Sequence, residues 1–156
     1  MSDCCAVGNG KPVAAVLRCP QCGQEGKPIG LVTLKSLLRP EALERLDPQT
    51  AYAFCAAPQC DVVYFAADGA PFRTADVKVP VYQKDPGEDV PVCYCFGWTR
   101  RRIRDELAQT GKSTASATIA AHVKAGRCGC EVNNPQGACC LGNVQAVVRQ
   151  WKATLP

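Results

Sequence analysis

The chain has 156 residues, a formal net charge of +4 and 12 cysteines, and only 6% of its residues are aromatic. This length suits one domain or two very small ones. A unit of about 50–80 residues is marginal on its core alone and usually needs disulfides, metal or oligomerisation. Composition therefore argues against two modules held by packing alone, and the cysteines are the candidates to supplement the core.

The positive charge does not indicate a nucleic-acid partner once the cysteines are counted as metal ligands. Four thiolates around a metal group of charge 2+ leave a net charge of −2, and a second such set leaves the same. Loading both groups would bring the formal +4 close to zero. We therefore expect no nucleic acid among the partners.

Residues 1–15 are predicted to form a flexible tail that carries Cys4 and Cys5. The tail has no basic segment followed by a long apolar one, so no secretory signal is expected. No apolar run approaches the ~20 residues that span a bilayer. These features predict a cytoplasmic protein that is not membrane-inserted, and clustered cysteines in a reducing compartment indicate metal sites rather than disulfides. As the least constrained thiols, Cys4 and Cys5 are candidates to capture a soft ion such as Cu(I).

Residues 16–82 are predicted to form a small β-rich module. The pattern gives, in chain order, an apolar run at 29–34, a short helix at 37–46 interrupted by Pro40, strands at 51–54 and 61–65, and a hairpin turn at Asp68-Gly69. Strand-forming residues bounded by turn residues support the two strands and the hairpin.

Two cysteine pairs in this module predict a structural zinc site. Cys19 and Cys22 form a C-x-x-C turn followed by glycine, and Cys55 and Cys60 form the second pair. Four thiolates close a tetrahedral site and leave no open position for catalysis. Because the second loop is longer than in the usual zinc ribbon, Asp61 is an alternative ligand in place of one cysteine.

Residues 83–90 are polar and turn-rich and predict a linker to a helical module at 91–156. Three helices are expected there: one capped by Thr99 and ending at Gly111, one from Ser113 to about Gly126, and a last one with its apolar residues at i, i+3, i+4 and i+7. That apolar face is formed by Val144, Val147, Val148 and Trp151.

The helical module carries six further cysteines, and they flank its predicted helices. Cys93 and Cys95 precede two helices, and Cys128, Cys130, Cys139 and Cys140 follow them. A helical hairpin between two cysteine groups resembles bacterioferritin-associated ferredoxins, in which the last ligand of a [2Fe–2S] cluster opens a final helix. The Cys140-Leu141-Gly142-Asn143-Val144 segment has that form.

A longer stretch resembles a second family. The motif Val92-Cys93-Tyr94-Cys95-Phe96-Gly97, with Gly111-Lys112 and the run from Cys128 to Gly142, is similar to the N-terminal region of CopZ-type copper chaperones. The resemblance covers roughly residues 16–150 and implies a [2Fe–2S] cluster beside a mononuclear zinc. Only five residues follow Trp151, so the family's copper-binding domain with its Met-x-Cys-x-x-Cys loop is not expected in this sequence.

Six cysteines compete for four cluster positions. Cys93 and Cys95 are assigned as ligands. Because successive side chains point apart, Cys139 and Cys140 are not expected to share the cluster, and the helix-opening position favours Cys140. The spacing in the resembled family favours Cys130 over Cys128. The alternates Cys128 and Cys139 would then be buried thiols or a spare metal-binding pair.

Four arginines allow two interpretations, and the single histidine is either an ordinary polar residue or a metal ligand. Arg100, Arg101, Arg102 and Arg104 stand at a helix N-terminus, where they either balance an anionic cluster or form a docking patch for an acidic redox partner. A Rieske centre needs two histidine ligands on one iron, and this sequence has a single histidine, so that kind of centre is excluded. His122 is expected to make an ordinary polar contact.

The expected fold class is α+β: a small β-rich zinc module followed by a helical bacterioferritin-associated-ferredoxin-like [2Fe–2S] module. No nucleophile–base pair or phosphate loop appears, so no independent enzyme is expected beyond metal-ion reduction through the cluster. The first hypothesis is a one-electron carrier that reduces Cu(II) to Cu(I) in soft-metal handling, with a redox protein or a copper-transport protein as partner. The alternatives are a general ferredoxin-like partner and a cluster-based metal or redox sensor.

Overall fold

The computed structural model describes residues 16–155 of the chain. Their elements are, in chain order, β1 (Lys27–Ile29), α1 (Leu31–Leu37), α2 (Pro40–Leu43), β2 (Tyr52–Phe54), β3 (Val62–Ala66), β4 (Phe72–Arg73), a 3₁₀ turn (Thr74–Asp76), β5 (Pro91–Cys93), β6 (Trp98–Thr99), α3 (Arg100–Thr110), α4 (Ala115–Lys124), α5 (Cys130–Asn133) and α6 (Leu141–Thr154). The result is a mixed α/β protein whose first half contains a small antiparallel sheet, as predicted. No helix among these residues is long and apolar enough to cross a membrane.

The sheet has the strand order β1-β2-β3-β4, and every neighbouring pair is antiparallel. The predicted strands at 51–54 and 61–65 are confirmed as β2 and β3, and the turn at Asp68-Gly69 leads from β3 to β4. Both central strands are buried over most of their length, because they carry apolar side chains on both faces of the sheet. One face packs on the α1 side of the module, and Phe65 packs on the other beside the first cysteine pairs.

The apolar run at 29–34 divides between two elements. β1 ends at Ile29, and α1 begins at Leu31. A helix rather than a strand forms from Leu31 onward because Leu34, Leu37 and Leu38 are spaced at i, i+3 and i+4, which places all three in the core. Pro40 starts α2 rather than interrupting a helix, since the first helical position tolerates a residue without an N–H.

The second half consists of the β5–β6 hairpin and four helices. Thr99 caps α3 as predicted, because its Oγ1 accepts a hydrogen bond from the Arg102 backbone N–H. Gly111 follows the last residue of α3 in the left-handed conformation. Ile103, Ile119, Val144 and Val147 bring α3, α4 and α6 together in one core.

The two halves contact one another directly. The hydroxyl of Tyr64, a fully buried residue of β3, donates a hydrogen bond of 2.6 Å to the Pro135 carbonyl between α5 and α6. Gly137 has a φ of +67°, and a Cβ there would lie 2.9 Å from Thr33 Oγ1 of α1. The loop after α5 is therefore seated on the first half, with glycine required at its closest approach.

Residues 83–90, the predicted linker, are held from both sides. Lys84 Nζ donates to the Ala57 and Cys60 carbonyls of the first half, at 2.8 Å each. Arg100 of α3 donates to the Asp85 and Gly87 carbonyls. The segment thus forms a bonded connection between the halves, while the exact module boundaries remain a prediction.

Candidate metal centres

A tight turn positions the first cysteine pair. The Gly23 N–H donates to the Cys19 carbonyl at 2.9 Å, and the Cys19 N–H donates to the Gln24 carbonyl at 2.9 Å. Gly23 adopts a φ of +75°, which a residue with a side chain rarely occupies. The turn brings Cys19 and Cys22 to the same side, with Cys19 buried and Cys22 exposed.

The sheet positions the second pair. Cys55 directly follows β2 and donates its N–H to the Val63 carbonyl of β3, which extends the ladder by one step. Cys60 lies two residues before β3, and its N–H donates to the Ala57 carbonyl. The 55–60 loop therefore folds back at the end of two paired strands, and both of its cysteines are buried.

These four cysteines meet around a common centre. The Sγ atoms of Cys19, Cys22, Cys55 and Cys60 all lie within 4.8 Å of one another. The Cys19–Cys60 separation is 3.8 Å and the Cys22–Cys55 separation is 3.7 Å. A Zn–S bond of about 2.3 Å gives a tetrahedron with an edge of about 3.8 Å, so the sulfurs fit one zinc ion.

Three of these thiols, Cys22, Cys55 and Cys60, differ in pKa because their surroundings differ. The Gln24 backbone N–H lowers the pKa of the exposed Cys22 thiol to about 7. Burial raises the pKa of Cys55 to about 12, and burial also raises that of Cys60. The Lys84 ammonium, hydrogen-bonded to two carbonyls of the 55–60 loop, counteracts the rise at Cys55. A bound metal would therefore favour the ionised form of Cys55 and Cys60, and Lys84 favours it at Cys55.

Asp61 is engaged elsewhere. Its carboxylate accepts a hydrogen bond of 2.9 Å from Gln21 Nε2 and pairs with Arg73 at 2.5 Å. These contacts, the amide first, lower the pKa of the Asp61 carboxyl. The group of converging ligand atoms contains the four cysteines and not Asp61.

A second set of cysteines lies in the helical half. Cys93 ends β5, Cys95 lies in the turn between β5 and β6, Cys130 is the first residue of α5, and Cys140 directly precedes α6. Cys93, Cys130 and Cys140 are at most 2% exposed, whereas Cys95 is half-buried. Helices α3 and α4 thus lead the chain away from the β5–β6 hairpin and back, so that Cys130 and Cys140 lie near Cys93 and Cys95.

The side chains of the second set interact in succession, and Cys130 interacts with both Cys95 and Cys140. Cys95 Sγ lies 3.8 Å from Cys130 Sγ, and a hydrogen bond from the Cys140 side chain lowers the pKa of Cys93. The contact with Cys130, together with burial, raises the pKa of Cys95. Among residues 16–155, no three of these sulfurs converge within 4.8 Å as the first set does. Four sulfurs that are spread out in this way, rather than converging in one tetrahedron, suit a group with two iron atoms.

Cys95 also receives hydrogen bonds at its sulfur. The Gly129 N–H donates to Sγ at 3.2 Å and Asn133 Nδ2 at 3.6 Å. Such bonds stabilise negative charge on a thiolate, and around an iron–sulfur group they raise the reduction potential. Sequence reasoning missed Gly129, Asn133 and Lys84 in these roles, because only the folded chain brings them to the cysteines.

The remaining sequence-predicted residues are placed as follows. Cys128 and Cys139 are half-buried. The Cys130 side chain lowers the pKa of Cys140, but the contact with Cys93 and burial outweigh it and raise that pKa overall. His122 stacks on Phe96, with ring centroids 4.3 Å apart. The candidate tail thiols Cys4 and Cys5 lie outside the described residues.

The fold and the four-cysteine centre define a metal-binding protein built around a zinc-binding domain. A family model described as a zinc binding domain, zf_CopZ, matches residues 17–78, which include both zinc-site cysteine pairs. The copper chaperone CopZ of Archaeoglobus fulgidus is 31% identical over 126 residues, which cover 80% of this chain and 58% of that protein. The chain thus spans less than two thirds of the length of this relative.

The fold itself is similar to a solved one. The X-ray structure of the Archaeoglobus fulgidus CopZ N-terminal domain matches with a TM-score of 0.70 and 28% identity, covering 90% of this chain and 99% of that domain. The likeness therefore extends through both halves of the molecule. Together with the converging thiolates, the matched family supports zinc as the ion of the first site.

Proposed function

We propose that this chain is a zinc- and [2Fe–2S]-binding electron-transfer protein that acts in copper handling and provides the electron that converts Cu(II) to Cu(I). The cluster would be held by Cys93, Cys95, Cys130 and Cys140, and the zinc by the first four-cysteine site. The spread of the second set carries this proposal, because Cys130 interacts with both Cys95 and Cys140 while, among residues 16–155, no three of these sulfurs converge as the first set does. When bound, a [2Fe–2S] group exchanges one electron between its 2+ and 1+ states.

The chain's own residues would prepare this site for electron transfer. Cys93 and the neighbouring Trp98 are buried, so water is excluded from one side of the group. The Gly129 N–H and Asn133 Nδ2 would stabilise the added negative charge at Cys95 Sγ. The half-buried Cys95 marks the side nearest to solvent.

Two arguments support copper as the metal that is handled: the chemistry of thiolate ligands and the similarity to a copper chaperone. Thiolates bind copper as the soft monovalent ion, so delivery to a thiolate site requires prior reduction of Cu(II). A relative of this chain carries the name copper chaperone. Cys4 and Cys5 are proposed as the Cu(I)-binding thiols, and a redox protein or a copper-transport protein as the partner. A reducing cytoplasm is the compartment that such free thiols need.

The zinc is proposed to be structural. Four sulfurs complete its coordination and leave no position for substrate, so this site would stabilise the first half rather than catalyse a reaction. No independent enzyme activity is assigned to the chain beyond metal-ion reduction.

Reaction of the reduced protein with Cu(II) tests the proposal. Dithionite-reduced protein, freed of excess dithionite, should be oxidised by one equivalent of Cu(II), with loss of the EPR signal and formation of one Cu(I), measured with a Cu(I)-specific chelator. A Cys93→Ala variant should keep zinc and lose iron, and should release no Cu(I) beyond the thiol background. The wild-type protein failing to react with Cu(II) would leave a general electron carrier or a sensor.

The tail is tested separately. The Cys4→Ser/Cys5→Ser double variant should reduce Cu(II) at the wild-type rate but retain less Cu(I) against a competing chelator, because the acceptor thiols are gone. Equal retention by the double variant and the wild type would remove the tail from the proposal.

A further inference from the structure

The turn after Cys95 reaches the surface of the molecule. Cys95 is half-buried, whereas Cys93, Cys130 and Cys140 are at most 2% exposed. Gly97, two residues after Cys95, is exposed. The side of the second cysteine set nearest to an approaching partner is therefore the one formed by this turn.

Two guanidinium groups flank this turn. Arg102 Nη1 lies 3.4 Å from each of the Phe96 and Gly97 carbonyls, and its guanidinium carbon lies 3.7 Å from the centre of the Trp98 ring. On the other flank, the His122 ring stacks on Phe96 at an interplanar angle of 21°. Arg127 Nη1 lies 3.2 Å from His122 Nδ1, which extends the surface by a second cation.

Neither cation is paired with a carboxylate. Within residues 16–155, neither Arg102 nor Arg127 takes part in an ion pair of 4.0 Å or less. Both carboxylate oxygens of Glu106, which follows Arg102 by one turn of α3, accept hydrogen bonds from Thr114, and among the described residues this carboxylate forms no ion pair with Arg102. The segment 122–129 also contains Lys124 and no acidic residue.

The neighbouring arginines of α3 differ from Arg102 in this respect. Arg100 donates to backbone carbonyls, and Arg101 and Arg104 pair with acidic residues. Of the four arginines at this helix N-terminus, Arg101 and Arg104 are therefore paired with carboxylates, and Arg100 is half-buried with carbonyl contacts at 2.8 and 3.1 Å. Arg102 is exposed, makes only longer carbonyl contacts of 3.4 Å and lies at the turn.

We propose that Phe96, Gly97, Arg102, His122 and Arg127, here called the Cys95 rim, form the docking surface for a redox partner with an acidic, carboxylate-rich face. This inference rests on the proposed cluster and adds the partner's chemistry and the surface that it uses. The two unpaired cations attract an anionic surface, and the stacked Phe96 and His122 rings provide a flat contact beside Cys95. The same charges disfavour the approach of free hydrated Cu²⁺ at this surface, so its occupant is an acidic protein.

The first test uses two inorganic oxidants of opposite charge. Oxidation of the reduced holoprotein by hexacyanoferrate(III) and by tris(phenanthroline)cobalt(III) is followed by stopped flow at low ionic strength, each reaction transferring one electron. In the Arg102→Gln/Arg127→Gln variant, the second-order rate constant with the anion should fall by about 3–10-fold, with a flatter salt dependence, and the rate with the cation should not fall. The Arg149→Gln/Lys152→Gln variant removes the same charge from α6 and is the matched control.

The second test measures docking without electron transfer. Redox-inert hexacyanochromate(III), added to the oxidised protein, should broaden the NMR signals of Gly97, Arg102 and Arg127 in the wild type and much less in the rim variant. Equal rate losses in the rim and α6 variants, or broadening centred elsewhere, would overturn the docking surface while the cluster stands. A protein that binds no iron and gives no spin-half signal would overturn the proposed function and this inference together.

Discussion

The two cysteine sets have the same number of proposed ligands and different geometry. In the zinc domain four sulfurs converge within 4.8 Å, whereas in the helical half Cys95 and Cys130 form a pair at 3.8 Å and Cys93 interacts with Cys140. One tetrahedron suits one ion, and a wider spread of four sulfurs suits two bridged metals. The arrangement of the sulfurs, and not their number, therefore distinguishes the two kinds of site.

The two regions also differ in how they are supported. The zinc cysteines stand at the end of a sheet with its own core, while the second set is closed by a loop that rests on the first half through Tyr64 and Gly137. The zinc domain is thus expected to stabilise the loop between Cys130 and Cys140. The following predictions test this relation, beginning with the largest effect.

The largest effect is expected from removing a zinc ligand. Cys60→Ala should lose the zinc and unfold the first half, because structural zinc supplies on the order of 10 kcal/mol to small zinc modules. Zinc content by elemental analysis and thermal unfolding by circular dichroism measure the two effects. Cys139→Ala, which changes a thiol outside the zinc site, should keep the zinc. Loss of iron together with zinc in Cys60→Ala would show that the two regions form one folding unit.

A smaller effect is expected at the contact between the halves. Gly137→Ala should destabilise the protein by about 1–3 kcal/mol, because the residue has a positive φ and its Cβ would press on Thr33 and Ile29. Gly142→Ala is the matched control, since it lies in α6 with no atom within 4 Å of the new Cβ and should stabilise by up to about 1 kcal/mol. Urea unfolding compares them, and similar midpoints for the two variants would argue against the contact.

The smallest effect is expected from a single hydroxyl. Tyr64→Phe removes the hydrogen bond to Pro135 and leaves a buried carbonyl without that donor, which should cost about 1–2 kcal/mol. Tyr82→Phe is the control, because it removes a hydroxyl but keeps the ring that packs against Arg100. Its free energy of unfolding should stay within about 0.5 kcal/mol of the wild-type value. If both variants unfold at the wild-type urea midpoint, the bond to Pro135 does not hold the halves together.

Local features of the sequence predicted much of the fold. The β-rich runs before and after the Cys55–Cys60 loop, the Thr99 cap and the apolar spacing of α6 are short-range signals, and each led to the observed element. Apolar content alone did not separate strand from helix at 29–34, because a short apolar run satisfies both patterns. There the spacing of Leu34, Leu37 and Leu38 decides in favour of α1.

Contacts between distant residues could not be predicted in the same way. Tyr64 and Pro135 are 71 residues apart, and Lys84 reaches the zinc loop from a segment that resembles a linker. Nothing in their local sequence specifies a partner, since the partner is set by how the halves pack. The cysteine pairs could be predicted from the sequence because C-x-x-C spacing is typical of metal ligands. Asn133, which donates to Cys95, lies in no such motif.

Metal analysis combined with EPR tests the central claim, that the two cysteine sets hold different groups, most directly. Anaerobically purified protein is expected to be brown, to contain two irons and one zinc per chain, and to give a spin-half [2Fe–2S] signal after reduction with dithionite. A colourless protein with two zinc ions per chain and no signal would contradict the account, because both cysteine sets would then hold the same ion.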